Sequence, residues 1–161
     1  MVYPETYTAF RRTPGSGSLE HPLTIQPNQE TLPKELGAHD VVIKVRAVSL
    51  NYRDVAMLIG TYPIPIEERG IPCSDCAAEV VAVGPAVKSL AVGDHVAPIT
   101  GIGKFEPDDD GFSVALGVNT AGVLREYAVY QEEHLVHLPA HLTWEEVGFS
   151  EHTELRLMIL Y

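Results

Sequence analysis

Residues 41–84 read VVIKVRAVSLNYRDVAMLIGTYPIPIEERGIPCSDCAAEVVAVG. Val41, Val42, Ile43, Val45 and Val48 are β-branched, and β-branched side chains suit a pleated backbone. At a period of two, Val41, Ile43, Val45 and Ala47 share one face while Lys44 and Arg46 share the other. The pattern predicts a strand over Val41–Ser49 with one dry side and one wet side. Asn51 suits the N-cap of a helix over Tyr52–Ile59, because its side-chain oxygen can accept an orphan backbone N–H. Val55, Leu58 and Ile59 recur at helical spacing, and Gly60 is placed to end the helix. Tyr62-Pro-Ile-Pro forces an extended loop. Ala77–Val83 is a second strand, turned by Gly84-Pro85. The unit is strand–helix–strand, and its chemistry is expected to start at the polar turn Asn51–Asp54.

Outward from this unit the chain reads as short strands. Tyr7–Arg11 and Leu23–Gln26 are β candidates, Thr13–Ser18 is a loop, and Pro27–Asp40 is polar and turn-rich. Gly93-Asp94 turns into a strand over His95–Ile99, Thr100–Asn119 reads as a long loop, and Leu124–Tyr130 and Leu135–Leu138 are further strands. Thr143 followed by Glu146 is a capping-box pattern for a helix from Trp144. About seven strands with frequent turns and only short helices predict a mainly β fold, a barrel or sandwich. No glycine-rich phosphate loop follows a strand. Gly101-Ile-Gly103 lacks the third glycine, so a dinucleotide-binding unit is not expected within these residues.

The chain has 161 residues, enough for one domain with its own core. Twenty-two acids against eleven Lys plus Arg give a net charge of −11, which opposes nucleic acid and an anionic membrane face. Two cysteines are too few for a disulfide framework. The N-terminus lacks a signal pattern and no apolar run is long enough to span a bilayer, so a cytoplasmic protein is expected.

The stretches VVIKVRAVSLNYRDV, GTYP, IPCSDCAAEVVAVG, AVGDHV and LREYAVYQEEHLVHLPAHLTWEE together resemble the medium-chain dehydrogenase/reductase superfamily. More narrowly they resemble its zinc-lacking alcohol dehydrogenase-like and quinone oxidoreductase-like branch. The resemblance runs from about Asp40 to about Val147 and covers only the family's first half. It implies a GroES-like β-barrel with a few short helices over residues 1–147, and places the usual Rossmann half outside this chain. Residues 148–161 then read as a divergent apolar tail.

Zinc-dependent relatives place a Cys where this chain has Asn51, and a Gly-His-Glu motif where it has Cys73, Ser74 and Asp75. The region matching their structural-zinc lobe, Ile99–Val118, holds no cysteine. Amide and hydroxyl are poor replacements for thiolate and imidazole, so neither zinc site is expected. The resemblance implies NADP(H) as cofactor, without metal, and a small carbonyl, enone or quinone as substrate. It gives Asn51, Tyr52, Asp54 and Asp75 as cofactor-side residues and Asn51, Asp54 and Tyr62 as catalytic candidates. Asn51 has two readings, cleft residue or simple helix cap. Asp54 either accepts from a ribose hydroxyl or makes a local contact with Arg53 or Tyr52. Tyr62 is either a phenolic donor or packing.

Cys73-Ser-Asp-Cys76-Ala-Ala78-Glu-Val stands where close relatives have GSDGAGEV, and side chains there are expected to crowd the cleft. Cys73 and Cys76 form C-x-x-C, but a zinc ribbon needs a second pair and a redox motif needs a following helix. Two buried thiols are the expected reading. Glu106-x-Asp108-x-Asp110-Gly111 imitates half a calcium loop but lacks the closing Glu and is read as solvated. His134, His137 and His141 are interrupted by Pro139 and read as ordinary polar residues.

From about Ser150 the resemblance is lost, and LRLMILY is expected to fold back on the barrel or to self-associate through residues 155–161. The expected function is the substrate side of a zinc-independent oxidoreductase, truncated and inactive alone. The alternative is a non-catalytic barrel remnant that partners full-length relatives.

Overall fold

The computed structural model describes residues 3–99, 114–139 and 141–147, and the backbone of 157–160. The acidic run at 106–110, the Gly101–Gly103 pair and most of the tail lie outside the described residues.

The chain is mainly β, as expected. The central strand is β3 (Asp40–Leu50). On one edge it pairs antiparallel with β4 (Asp75–Val83). On the other edge β6 (Tyr127–Gln131) covers its first half and β8 (Leu157–Leu160) its second half. Beyond β4 come β5 (His95–Pro98) and β7 (Leu135–His137), which complete a curled six-stranded sheet. β1 (Thr6–Arg12) and β2 (Ile25–Thr31) form a separate antiparallel ribbon. Phe10 N–H to Leu124 O (3.0 Å) and Glu126 N–H to Thr8 O (3.0 Å) tie the ribbon to the sheet. The helices are α1 (Tyr52–Leu58) and α2 (Trp144–Val147).

β3 departs from the one-dry, one-wet expectation. Lys44 and Arg46 are half-exposed, but Val42 and Val48 are as buried as Val41, Ile43, Val45 and Ala47. Register shifts at Val42/Ile43 and Val45/Ala47 break the strict alternation, as bulges do. The wet side shrinks to two cations, and each is occupied. Lys44 Nζ stands 5.9 Å from the Tyr127 ring centroid, and Arg46 Nη2 reaches Glu79 Oε2 at 2.5 Å.

Two boundaries also differ. β2 runs on to Thr31 through Pro27, where a turn-rich segment is expected. Among the described residues β2 pairs only with β1, and an edge strand can turn a proline's missing N–H outward. β6 starts at Tyr127 rather than Leu124: the Leu124 N–H goes to Pro72 O and the Glu126 N–H to Thr8 O, and Glu126 meets β3 through its carbonyl, which accepts the Val45 N–H at 2.9 Å. The capping box at α2 is present, with Thr143 N–H to Glu146 Oε2 at 2.9 Å and Glu146 N–H to Thr143 Oγ1 at 3.3 Å. The tail strand β8 lies on β3 of the same chain, with Met158 opposite Ser49 and Leu157 opposite Leu50.

Glu132 clamps three segments. Its carboxylate accepts from Lys88 N–H (3.0 Å), Ser89 N–H (3.1 Å), the Ser89 hydroxyl (2.8 Å) and His39 Nδ1 (2.7 Å). These bonds, the one from the Lys88 N–H foremost, hold its carboxyl at about 2, below the ordinary 4.5. A depressed carboxyl stabilises the fold fully above its ordinary range and loses that contribution as pH falls through its folded value. We therefore expect Glu132→Gln to lower the unfolding midpoint at pH 7 and to leave it nearly unchanged near pH 2. Thermal melts at both pH values check this, and equal losses at the two would contradict it.

Candidate active site

The site begins where β3 ends. Asn51 has extended backbone (φ −113°, ψ 159°) and stands at the N-cap of α1. Asp54, at the third helical position, accepts the Asn51 N–H on Oδ2 at 2.9 Å. Its other oxygen, Oδ1, accepts the Cys73 N–H at 3.0 Å. Asp54 is 5% exposed. Burial raises its carboxyl above the ordinary value, the two N–H bonds and Arg53 pull it back, and Asp75 adds to the rise. Both oxygens serve the main chain, so in this structure Asp54 fastens the start of α1 to the approach of β4.

The Asn51 side chain is directed elsewhere. Its Nδ2 donates to Asp75 Oδ2 at 2.6 Å, and the Ser74 hydroxyl donates to the same oxygen at 2.6 Å. The β3–β4 register places Asp75 opposite Ser49, which brings a residue 24 positions away beside the turn. Asn51, Ser74 and Asp75 thus form one polar cluster, half-buried at Asn51 and Asp75 and closed off at Ser74.

Other sequence candidates are not drawn into this cluster. Tyr52 is 63% exposed on the outer side of α1. Tyr62 lies past the far end of the seven-residue helix, in a cleft of about 500 Å³ shared with Arg12, Met57 and Gly60. Seven helical residues span roughly 10 Å.

Two arginines support the site from behind, and sequence reasoning passed over the first of them. Arg12 is 2% exposed and donates to Gly117 O (2.8 Å) and Glu67 O (3.1 Å). Burial lowers its pKa, and Asp54 and Glu67 oppose the shift. Arg53 donates to Leu116 O at 2.6 Å. The turn that both arginines hold packs on Cys73, whose backbone takes φ +68°. An arginine at the end of a strand, before a loop, gives no sequence signal of burial.

Cys73 and Cys76 are both buried free thiols. Burial is the chief cause that pushes Cys73 well above its ordinary value and Cys76 to about 12.

The alcohol dehydrogenase GroES-like domain family matches residues 37–140. The chain belongs to that family. It is 34% identical over 126 residues to a zinc-type alcohol dehydrogenase-like protein of Schizosaccharomyces pombe, covering 77% of this chain and 36% of that protein. It is 35% identical over 116 residues to a quinone oxidoreductase of Pseudomonas aeruginosa, covering 72% of this chain and 30% of that protein. The crystal structure of a Pseudomonas syringae quinone oxidoreductase superposes with a TM-score of 0.59 at 25% identity, over 88% of this chain and 36% of that one. The chain therefore spans about a third of the length of these relatives. Family membership makes it a medium-chain oxidoreductase-like domain with a GroES-like fold. Among the described residues, no helix is long and apolar enough to cross a membrane.

Proposed function

We propose that residues 1–147 are the substrate-side domain of a zinc-independent, NAD(P)H-dependent oxidoreductase that reduces a small carbonyl, enone or quinone. The observation that carries this reading is the cluster in which Asn51 and Ser74 both donate to one oxygen of Asp75. The 161 residues supply one wall of a cleft, and turnover rests on an opposing wall that holds the cofactor.

Zinc does not fit this donor set. Zinc binds thiolates, imidazoles and carboxylates, and its ligands must be deprotonated. Here the cap position offers an amide, and burial keeps both thiols protonated. Among the described residues no group of three His, Cys, Asp or Glu side chains is placed to hold a metal. We expect native protein to leave both thiols unreactive toward a thiol reagent at pH 8 and to take up no zinc, whereas denatured protein exposes two. Stoichiometric zinc uptake by the native protein would sink the zinc-free reading. Two unpaired thiols also suit a reducing, cytoplasmic compartment.

When bound, a reduced nicotinamide supplies the hydride. The chain's own residues orient what meets it. Asp75 fixes the Asn51 amide and the Ser74 hydroxyl. An amide nitrogen carries two hydrogens, so Asn51 has one left to donate to a ring carboxamide or to a substrate oxygen. Asp54 keeps the turn in place, Tyr52 offers an aromatic wall, and Tyr62 offers a phenol from the neighbouring cleft.

Titrating the full chain with NADPH by calorimetry and by amide NMR tests this reading. One wall alone gives weak binding, with Kd on the order of 1 mM or above, and shifts centred on the Asn51 amide, Ser74 and Asp75. Asn51→Ala abolishes those shifts. Micromolar binding would overturn the proposal that these residues form one wall only, and shifts confined to other regions would overturn the site.

A further inference from the structure

We propose that the outer edge of β8 is a docking surface for a second copy of this chain, and that two copies join there by antiparallel β8–β8 pairing about a two-fold axis. The seam uses none of the Asn51, Ser74 or Asp75 side chains, and its test uses no nicotinamide.

One edge of β3 is shared between two strands. β6 takes Asp40–Lys44 and β8 takes Ala47–Leu50, both antiparallel. Among the described residues β8 pairs with no strand besides β3, so its outer edge presents alternate N–H and C=O groups to a further strand. The other edge strands are blunted. β2 carries Pro27 and Glu30, and β7 is three residues long. β6 meets β1 at its start through the Ala9–Arg125 bridge and ends on Gln131. β8 has no such device. Of the eight described strands it alone contains no polar residue, no charge and no proline, reading Leu157-Met-Ile-Leu160. An apolar, uncharged strand edge is a template for another strand.

The sequence of β8 fits a copy of itself. In an antiparallel pair about a two-fold axis, Leu157 of each copy stands opposite Leu160 of the other, and Met158 opposite Ile159, so every cross-strand pair is apolar. A strand bearing charge would set that charge against this run. The chain's net charge of −11 makes other faces of two copies repel, whereas β8 adds no charge of its own. Contact is therefore confined to the strand, and the six-stranded sheets of the two copies run on through the seam. Four residues a side make a seam small beside the roughly 1,200–2,000 Å² of a stable interface, so the dimer is a reversible one. Leu157 stands opposite Leu50, the residue before Asn51, so the seam lies one strand out from the strand that delivers the site.

Sedimentation equilibrium of the full chain, from micromolar to near-millimolar concentration, should show a monomer–dimer equilibrium that tightens as salt screens the like charge. Amide hydrogen exchange over residues 157–160 should fall into two sets. Amides bonded to β3 are protected at every concentration, and the alternate, outward ones gain protection as the dimer forms. This pattern is read on the parent and needs neither variant below to fold. Ile159→Lys and Met158→Glu should each dimerise about tenfold more weakly than the parent. An equal mixture of the two should recover the dimer, because this register sets the new ammonium opposite the new carboxylate. The proposal fails if the parent stays monomeric over the whole range, or assembles beyond the dimer as concentration rises. It fails equally if the outward amides are protected with no dependence on concentration, which would give the edge a different occupant, or if both variants dimerise as the parent does.

Discussion

Gly122→Ala is expected to lower the unfolding midpoint by roughly 10 °C. A Cβ on Gly122 would stand 2.2 Å from Cys73 O, 2.2 Å from Pro72 O and 2.6 Å from Ile71 O. All three are backbone atoms, so no side chain can swing aside. The approach is close because three bonds zip the two segments together. Gly122 N–H reaches Ile71 O at 2.8 Å, Val123 N–H reaches Cys73 O at 3.0 Å, and Leu124 N–H reaches Pro72 O at 3.2 Å. Room for a methyl requires this row to part, and the parting draws the Cys73 N–H away from Asp54. Overpacking of this kind costs about 3 kcal/mol. That is a sizeable share of the roughly 5–15 kcal/mol that hold a domain together, and corresponds to a fall of roughly 10 °C in Tm at this size. Gly93→Ala is the control. Gly93 sits at φ +95° with nothing within 4 Å of the added Cβ. It should lose only about 1 kcal/mol of backbone strain. Thermal melts of both variants decide the matter, and equal losses would show that crowding at the 71–73 segment is not what requires Gly122.

Asp54→Ala carries the second large effect. It strands the N–H groups of Asn51 and Cys73, which now share one buried carboxylate. An unsatisfied buried donor costs about 1–3 kcal/mol, so the pair costs roughly 2–5 kcal/mol, reduced by relief of the desolvated charge. Asp54→Asn should recover only part, since one amide presents a single acceptor oxygen to two donors. The pH dependence gives a sharper check. Asp54 has its carboxyl raised above the ordinary 3.8, chiefly by burial. The native state therefore takes up the proton more readily than the unfolded chain, and the ionised form costs stability that returns as pH falls toward the ordinary value. The gap between parent and Asp54→Ala should widen from pH 7 to pH 4. This is opposite in sign to the effect at Glu132. Chemical denaturation at the two pH values measures it, and a gap that narrows toward pH 4 would refute the assigned cause.

Asp54 also marks where sequence reasoning stopped. Its place in the first turn of a helix beside Asn51 was legible, and its two readings were a cleft ligand and a local partner of Arg53 or Tyr52. The structure adds a partner that neither reading named, a backbone N–H nineteen residues away on one oxygen. Pro27 is a similar case. A proline reads as the end of a strand, yet β2 continues through it because that strand has a single neighbour. Strand order is a property of the assembled sheet and has no local signature.

The sequence alone determined the strand over Val41–Ser49, the break at Asn51, the helix stop at Gly60, the return strand to Val83 and the family. These follow from β-branching, from period, from glycine and proline, and from motifs in a fixed order, all of which act within a few residues. The tertiary structure alone decided that Asn51 and Ser74 meet on Asp75, that Asp54 faces inward, that Tyr62 stands apart, and that Arg12 is drawn out of water. Burial and hydrogen-bond partnership depend on residues 19 to more than 100 positions away. Antiparallel register, with the two breaks in β3, brings such residues together. A charged side chain reads the same in sequence whether the fold later covers it or leaves it in water.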